Sequence, residues 1–173
     1  MKALRIMLGL GLLMLMVSAV SAQKVTTDSA PNVDWSKYHT YSWGEGTPAP
    51  NPLTAQRIVA GIDAQLAAKG LTKVAADPDL VVMYHVATDQ QKSINWQNYG
   101  GWGRFGGMGG MGSAQVDTVT TGQLRVDVAD YKAKQFLWRG TGSDTVSGDP
   151  QKNAKKIEKA LTKMFEKFGP AAK

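Results

Sequence analysis

His39 and His85 are the only imidazoles in the chain, and there is no cysteine. A zinc site needs three or four converging ligands, and no carboxylate stands at helical ligand spacing from either histidine. Each is expected to be a hydrogen-bonded packing residue, His85 on the strand face of Val81 and Met83, His39 on that of Tyr41 and Trp43. Absent cysteine removes disulfides, thiol nucleophiles and thiolate ligands together. There is no G-x-S-x-G elbow to activate a serine. Asp28, Asp34, Asp77, Asp79 and Asp130 fall at expected turns, where aspartate caps the backbone. The strings Gly101–Gly106 and Gly107–Gly112 both fit G-x-G-x-x-G. Dinucleotide binding needs a strand before that pattern and a helix opening within it, so that helical N–H groups meet the pyrophosphate. Here more glycine follows, and the matches reflect composition. No catalytic residue, metal or cofactor is expected.

The best binding hint is aromatic. Gly100 to Gly112 has eight glycines in thirteen positions, a run that holds neither helix nor regular strand because glycine loses too much backbone entropy on ordering. Trp96, Tyr99, Trp102 and Phe105 lie in or beside it. They could stack on sugars or fill a partner's groove, with Arg104 adding a charge-assisted contact. The plainer reading is a surface loop between strands whose aromatics pack back on the sheet.

The elements that must carry this loop are well punctuated. Leu124, Val126 and Val128 alternate with Gln123, Arg125 and Asp127, the period of a half-buried strand. A polar turn follows, and a return run to about Val146 places Phe136 and Trp138 on one face. The pair reads as a β-hairpin, whose first strand starts near Val116 and bends at Gly122. Leu80 to Val86 is apolar on both faces, the mark of a central strand, and the polar residues Thr88 to Ser93 are expected to end it. Gln23–Asp28 and Tyr38–Trp43 are shorter strands. Two helices have clear ends. Asn51 caps the first, Pro52 begins it, Ile58, Ile62 and Leu66 form its stripe, and Gly70 stops it. Asp149 and Pro150 begin the second, Ile157, Leu161, Met164, Phe165 and Phe168 form its stripe, and Gly169-Pro170 ends it. Its lysines, Lys152 through Lys167, could lie on an anionic membrane. The hairpin's need for an apolar cover favours solvated lysines instead. The fold expected is α+β: a two-layer sandwich of a mostly antiparallel sheet with two amphipathic helices packed on one face.

The chain has 173 residues. It opens with Lys2 and Arg5, an uncharged run of 12 residues from Ile6 to Val17, and then Val20-Ser21-Ala22. That is a secretory signal peptide, cut between Ala22 and Gln23, with an apolar run too short to span a bilayer. Residues 23–173 then form a single domain. Losing Lys2 and Arg5 from 20 basic residues leaves 18 against 14 acidic, a net of +4. So mild a charge does not point to nucleic acid.

The order of these motifs resembles a bacterial family known as domain of unknown function 4136. The similar stretches are Val33–Trp43, Arg57-Ile58 with Ile62-Asp63, Leu66 and Lys69–Leu71, then Asp77–Leu80, the aromatic glycine loop, Gly122–Asp130 and Leu137–Gly140. The resemblance implies a cell-envelope protein. Many members are lipoproteins, but this chain has no cysteine to carry the lipid. No activity comes with the family.

The resulting expectation is an exported, soluble, non-catalytic envelope protein, periplasmic or secreted. It would have a binding or assembly role toward an envelope protein or a glycan, no nucleic-acid partner, and no stable membrane insertion after signal removal. The alternative is an enzyme or carrier acting on a cell-wall or glycan ligand. A concave pocket with convergent polar groups would favour that alternative. Export itself is checked by the intact mass of the envelope fraction: the chain begins at Gln23, and a product retaining Met1 to Ala22 contradicts the signal-peptide reading.

Overall fold

The computed structural model describes residues 23–96 and 114–169, with 93–96 and 114–117 described by backbone alone. In chain order the elements are β1 (Lys24–Ser29), a 3-10 turn (Trp35–Lys37), β2 (Thr40–Trp43), α1 (Pro52–Ala68), β3 (Thr72–Lys73), β4 (Leu80–Trp96), β5 (Ala114–Asp130), β6 (Phe136–Thr145) and α2 (Pro150–Phe165). The strands form one sheet in the order β1-β6-β5-β4-β2-β3.

The sheet is mixed rather than mostly antiparallel. β1, β6, β5 and β4 pair antiparallel, but β2 runs parallel to both β4 and β3. The cause is α1, which lies between β2 and β4 in the chain. A strand that returns through a helix rather than a tight turn comes back in the same direction. α1 is held to this half of the sheet by Asp63, which accepts hydrogen bonds from Tyr41 OH (2.8 Å) and Trp43 Nε1 (3.0 Å) and pairs with Lys73 Nζ (3.3 Å). Burial, followed by the bond to Asp63, pushes the Tyr41 phenol above its ordinary range. Asp79 locks the start of β4 to β2. Its carboxylate accepts from His39 N, Thr40 N and Thr40 Oγ1, while Asp79 N donates back to Thr40 Oγ1. The backbone bond from His39 is the main reason its carboxyl lies below the ordinary value.

Both helices start where their caps stand. Asn51 Oδ1 accepts from Leu53 N and Thr54 N, and Asp149 Oδ1 from Gln151 N and Lys152 N. Each accepted bond satisfies an N–H that has no partner inside the helix. α1 is followed by Gly70 at φ +84°, a backbone state that disfavours any side chain. Leu71 N then folds back onto Leu66 O at 3.0 Å. Ile58, Ile62 and Leu66 of α1 share one core with Leu161, Met164 and Phe165 of α2 and with Leu80, Val82, Leu124, Val126, Val128 and Trp138 of the sheet. Each large side chain so buried contributes about 1.5–3 kcal/mol.

Two local expectations are corrected. The polar run from Thr88 does not end β4, which continues to Trp96 because β5 pairs with it residue for residue, out to Trp96↔Ala114. Phe136 and Trp138 do not share a face. Val128 pairs with Trp138 but Ala129 pairs with Phe136, so Leu137 is an extra residue. Such a bulge resets the side-chain alternation: Leu137 and Trp138 are buried and Phe136 is 58% exposed. No register shift occurs at Gly122.

Trp138 stands at the centre of an aromatic cluster, its ring 5.3 Å from Phe165 and 5.1 Å from Phe168, with Trp35 4.9 Å from Phe168. It is 1% exposed. Trp138→Ala is expected to cost about 3–5 kcal/mol in denaturant melts. A loss under about 1 kcal/mol is a surface value and contradicts this packing.

Candidate functional site

Side chains capable of chemistry gather in two places, on opposite faces of the sheet. The first is the face turned away from the core. Asp127 on β5 is only 2% exposed. Arg139 on β6 grips it with Nε on Oδ1 and Nη2 on Oδ2, the latter at 3.2 Å. Arg125 Nε stands 3.2 Å from Oδ2 and His85 Nε2 3.9 Å away. The other ring nitrogen of His85 pairs with Thr47 Oγ1 at 3.1 Å. The hydrogen bond to Asp127 raises the Arg139 guanidinium above its ordinary value. Burying a carboxylate this deep is costly unless it is paired, and the two arginines pair it. Arg125 Nε, although near Oδ2, makes no hydrogen bond among the described residues, and His85 is hydrogen-bonded as expected, through Thr47, at the edge of this cluster. Among the described residues no group of three or more His, Cys, Asp or Glu converges to hold a metal ion.

The second place is a cleft of about 270 Å³ on the core face, at the end where both helices begin. α1 lends Asn51, Thr54 and Ile58 to its wall, and α2 lends Asn153, Lys156 and Ile157. Val86, Thr88, Gly122, Leu124 and Gly142 form its floor. Its origin is a mismatch of length. The helices stop at their caps, while β4 and β5 run on past them. At Gly122 no side chain rises from the sheet to fill the gap. The surface the lining exposes is mostly apolar, and none of the lining residues is aromatic.

Polar groups ring the mouth of the cleft and largely satisfy one another. Lys156 Nζ donates to Asp144 Oδ1 (3.0 Å), Thr145 O (2.7 Å) and Thr145 Oγ1 (3.2 Å). Asn153 spans Ser147, accepting from its N at 2.8 Å and donating to its O at 2.7 Å. Gln23 Nε2 donates to Lys156 O at 2.7 Å, and Gln23 Oε1 is buried with no partner among the described residues. The arrangement can hold an aliphatic group by excluding water from it. Lys156 and Asp144, the oppositely charged side chains at its mouth, bind each other.

Of the five binding residues expected from sequence, only Trp96 is among the described residues. Tyr99, Trp102, Arg104 and Phe105 fall outside the described residues, as does Ala22 on the expected leader side of the cut. Trp96 is the last residue of β4, opposite Ala114. Gln23, the residue expected to follow the cut, lies at the cleft. Sequence reading missed the cleft because its walls come from separate stretches of chain. The one local sign of it was Gly122, a glycine inside a strand pattern.

A family model described as "Domain of unknown function (DUF4136)" matches residues 25–170. No curated protein matches the chain. Among solved structures, a PDZ domain protein from Parabacteroides distasonis superposes with a TM-score of 0.55 at 16% identity, over 84% of this chain. The chain spans only 36% of that protein's length, and the likeness is one of fold. A PelC dodecamer from Paraburkholderia phytofirmans gives a TM-score of 0.49 at 13% identity, covering 88% of this chain and 100% of the other. A lipoprotein from Neisseria meningitidis gives 0.41 at 13%, covering 72% and 96%.

Proposed function

The chain belongs to the DUF4136 family, and on that premise we propose that it is an exported, soluble, non-catalytic protein of the cell envelope that binds an aliphatic segment of an envelope ligand. The frame is a two-layer one, with both helices covering one face of the sheet and the cleft opening where that cover ends. One observation carries the reading: the apolar cleft of about 270 Å³ between the two helix N-termini and the sheet. That volume is close to the lower end of small-molecule sites, roughly 300–1,000 Å³. Export rests on the basic start, short apolar run and small residues of Met1–Ala22. Among the described residues no helix is long and apolar enough to cross a membrane.

The lining argues for an acyl or alkyl group over a sugar. Sugars are held by stacking on aromatic faces and by many directed hydrogen bonds. The surface this cleft exposes is mostly apolar, and Lys156, Asp144 and Asn153 at its mouth already have partners. The same pairing of Lys156 with Asp144 supports binding without catalysis, since a general acid or base must be free to reach its substrate.

A fluorescent fatty-acid analogue such as dansyl-undecanoate tests the assignment. Thr88 is exposed on the floor of the cleft, so Thr88→Trp fills the space without disturbing the core. Wild type binds the probe saturably, and the variant binds at least about tenfold more weakly, a difference of about 1.4 kcal/mol, with an unchanged melt. No saturable binding by wild type, or equal binding by both, overturns the proposal.

A further inference from the structure

The longest elements of the sheet outrun it. β4 and β5 pair continuously from Leu80↔Asp130 to Trp96↔Ala114, yet their other neighbours stop well short. On the β4 side the last bonds are Thr47 N to Tyr84 O (3.0 Å) and Val86 N to Thr47 O (2.9 Å). On the β5 side the last are the Thr121↔Thr145 pair and Val146 N to Thr120 O (2.7 Å). The β4 edge is open from Thr88, and beyond the Gln90↔Thr120 pair both edges are: a two-stranded arm projects about 17 Å, from Gln91 to Trp96, at about 3.3 Å per residue. Neither of its edges has a partner among the described residues.

Which backbone groups face outward follows from those last bonds. Successive residues of a strand direct their N–H and C=O to opposite edges. Val82, Tyr84 and Val86 use theirs on the outer edge of β4, so Thr88, Gln90, Lys92, Ile94 and Trp96 present theirs there in turn. Thr120 uses its carbonyl on the outer edge of β5, so Thr118, Val116 and Ala114 follow. Asp89, Gln90 and Lys92 are exposed, and side chains stand perpendicular to the sheet rather than in its edge. A lone two-stranded ribbon is marginal in water, and open edges are templates for another strand.

We propose that the arm is an assembly surface on which a second copy of this chain docks, the open edge of β4 pairing with the open edge of β5 in the next copy. The occupant follows from the geometry. Each copy carries both edges on one ribbon, and β4 and β5 run in opposite directions. Arms set side by side in the same orientation therefore pair antiparallel at every junction, within a copy and between copies. Such a contact joins two different surfaces, so it propagates from copy to copy into a ring or a filament. An isologous contact, β4 edge on β4 edge, would stop at a dimer.

Proline separates these cases, because at an outward-facing position it removes only the outward N–H and leaves the ladder inside the arm intact. Gln90→Pro blocks the β4 edge and Thr118→Pro the β5 edge. In sedimentation velocity over a concentration series, the purified full protein is expected to associate beyond a dimer. Each proline variant alone should be monomeric, with wild-type circular dichroism and melting temperature. Mixed, the two variants should form a heterodimer and nothing larger, since one competent pair of edges remains between them. Wild type that stays monomeric or stops at a dimer overturns the proposal. So do proline variants that assemble as wild type does, or a mixture that stays monomeric. Should a variant lose its melt, Gln90 and Thr118 replaced by N-methylated residues through semisynthesis repeat the block without the proline ring, and the same outcomes decide.

Discussion

Helix α2 lies close on the sheet because β6 presents glycine beneath it at Gly140 and Gly142. At Gly140 an added Cβ would stand 2.5 Å from Trp138 Cη2 and 3.1 Å from Met164 Cβ, and at Gly142 it would stand 2.6 Å from Met164 Cε and 3.2 Å from Ala160 Cβ. Interiors are close-packed, so such an approach is possible only where nothing occupies the space. The Met164 end at position 142 is flexible and could turn aside. The Trp138 indole at position 140 is wedged among Phe165 and Phe168 and could not. α1 repeats the device at Gly61, where an added Cβ would come within 2.7 Å of Leu161 Cδ1. The close seating of α2 on β6, and of α1 on α2, brings Ile58, Ile62, Leu66, Leu161 and Met164 into one core. The same bare floor, continued to Gly122 where the helices have ended, is the cleft.

The two faces of the sheet solve different problems. On the core face the strands bury Val82, Val126, Val128 and Trp138 by excluding water. On the other they bury a charge. Asp127 is as inaccessible as the core residues, and its desolvation is offset by the bidentate Arg139 and by Arg125 beside it. Removing one arginine would leave a buried carboxylate partly unpaired, which is far more costly than losing an exposed ion pair. Alternation along β5 carries both solutions on one strand: Arg125 and Asp127 outward, Leu124, Val126 and Val128 inward.

Much of this was legible in the sequence, for local reasons. Asn51-Pro52 and Asp149-Pro150 mark helix starts because a cap and a proline act within a few residues. Ile58, Ile62 and Leu66 mark a buried stripe because the helical repeat is local too. What the sequence hid depends on partners far along the chain. The reach of β4 past Thr88 comes from its register with β5, not from its own polar residues. The parallel pairing of β2 with β4 comes from α1 spanning them. The bulge at Leu137 is invisible to an alternation pattern that one extra residue resets, which is why Phe136 was expected beside Trp138. The cleft is the extreme case, since Ile58, Val86, Leu124 and Ile157 meet only when both helices are seated on the sheet.

That convergence is what the account stands on, and intermolecular nuclear Overhauser effects test it most directly. With methyl-labelled protein and an unlabelled long-chain fatty acid, contacts are expected from the alkyl chain to the methyl groups of Ile58, Val86, Leu124 and Ile157 together. They should be absent from the buried methyls of Ile62 and Leu66, which lie outside the cleft lining. Contacts confined to other methyls, or none at a concentration where the chain is bound, would contradict the cleft as the binding site.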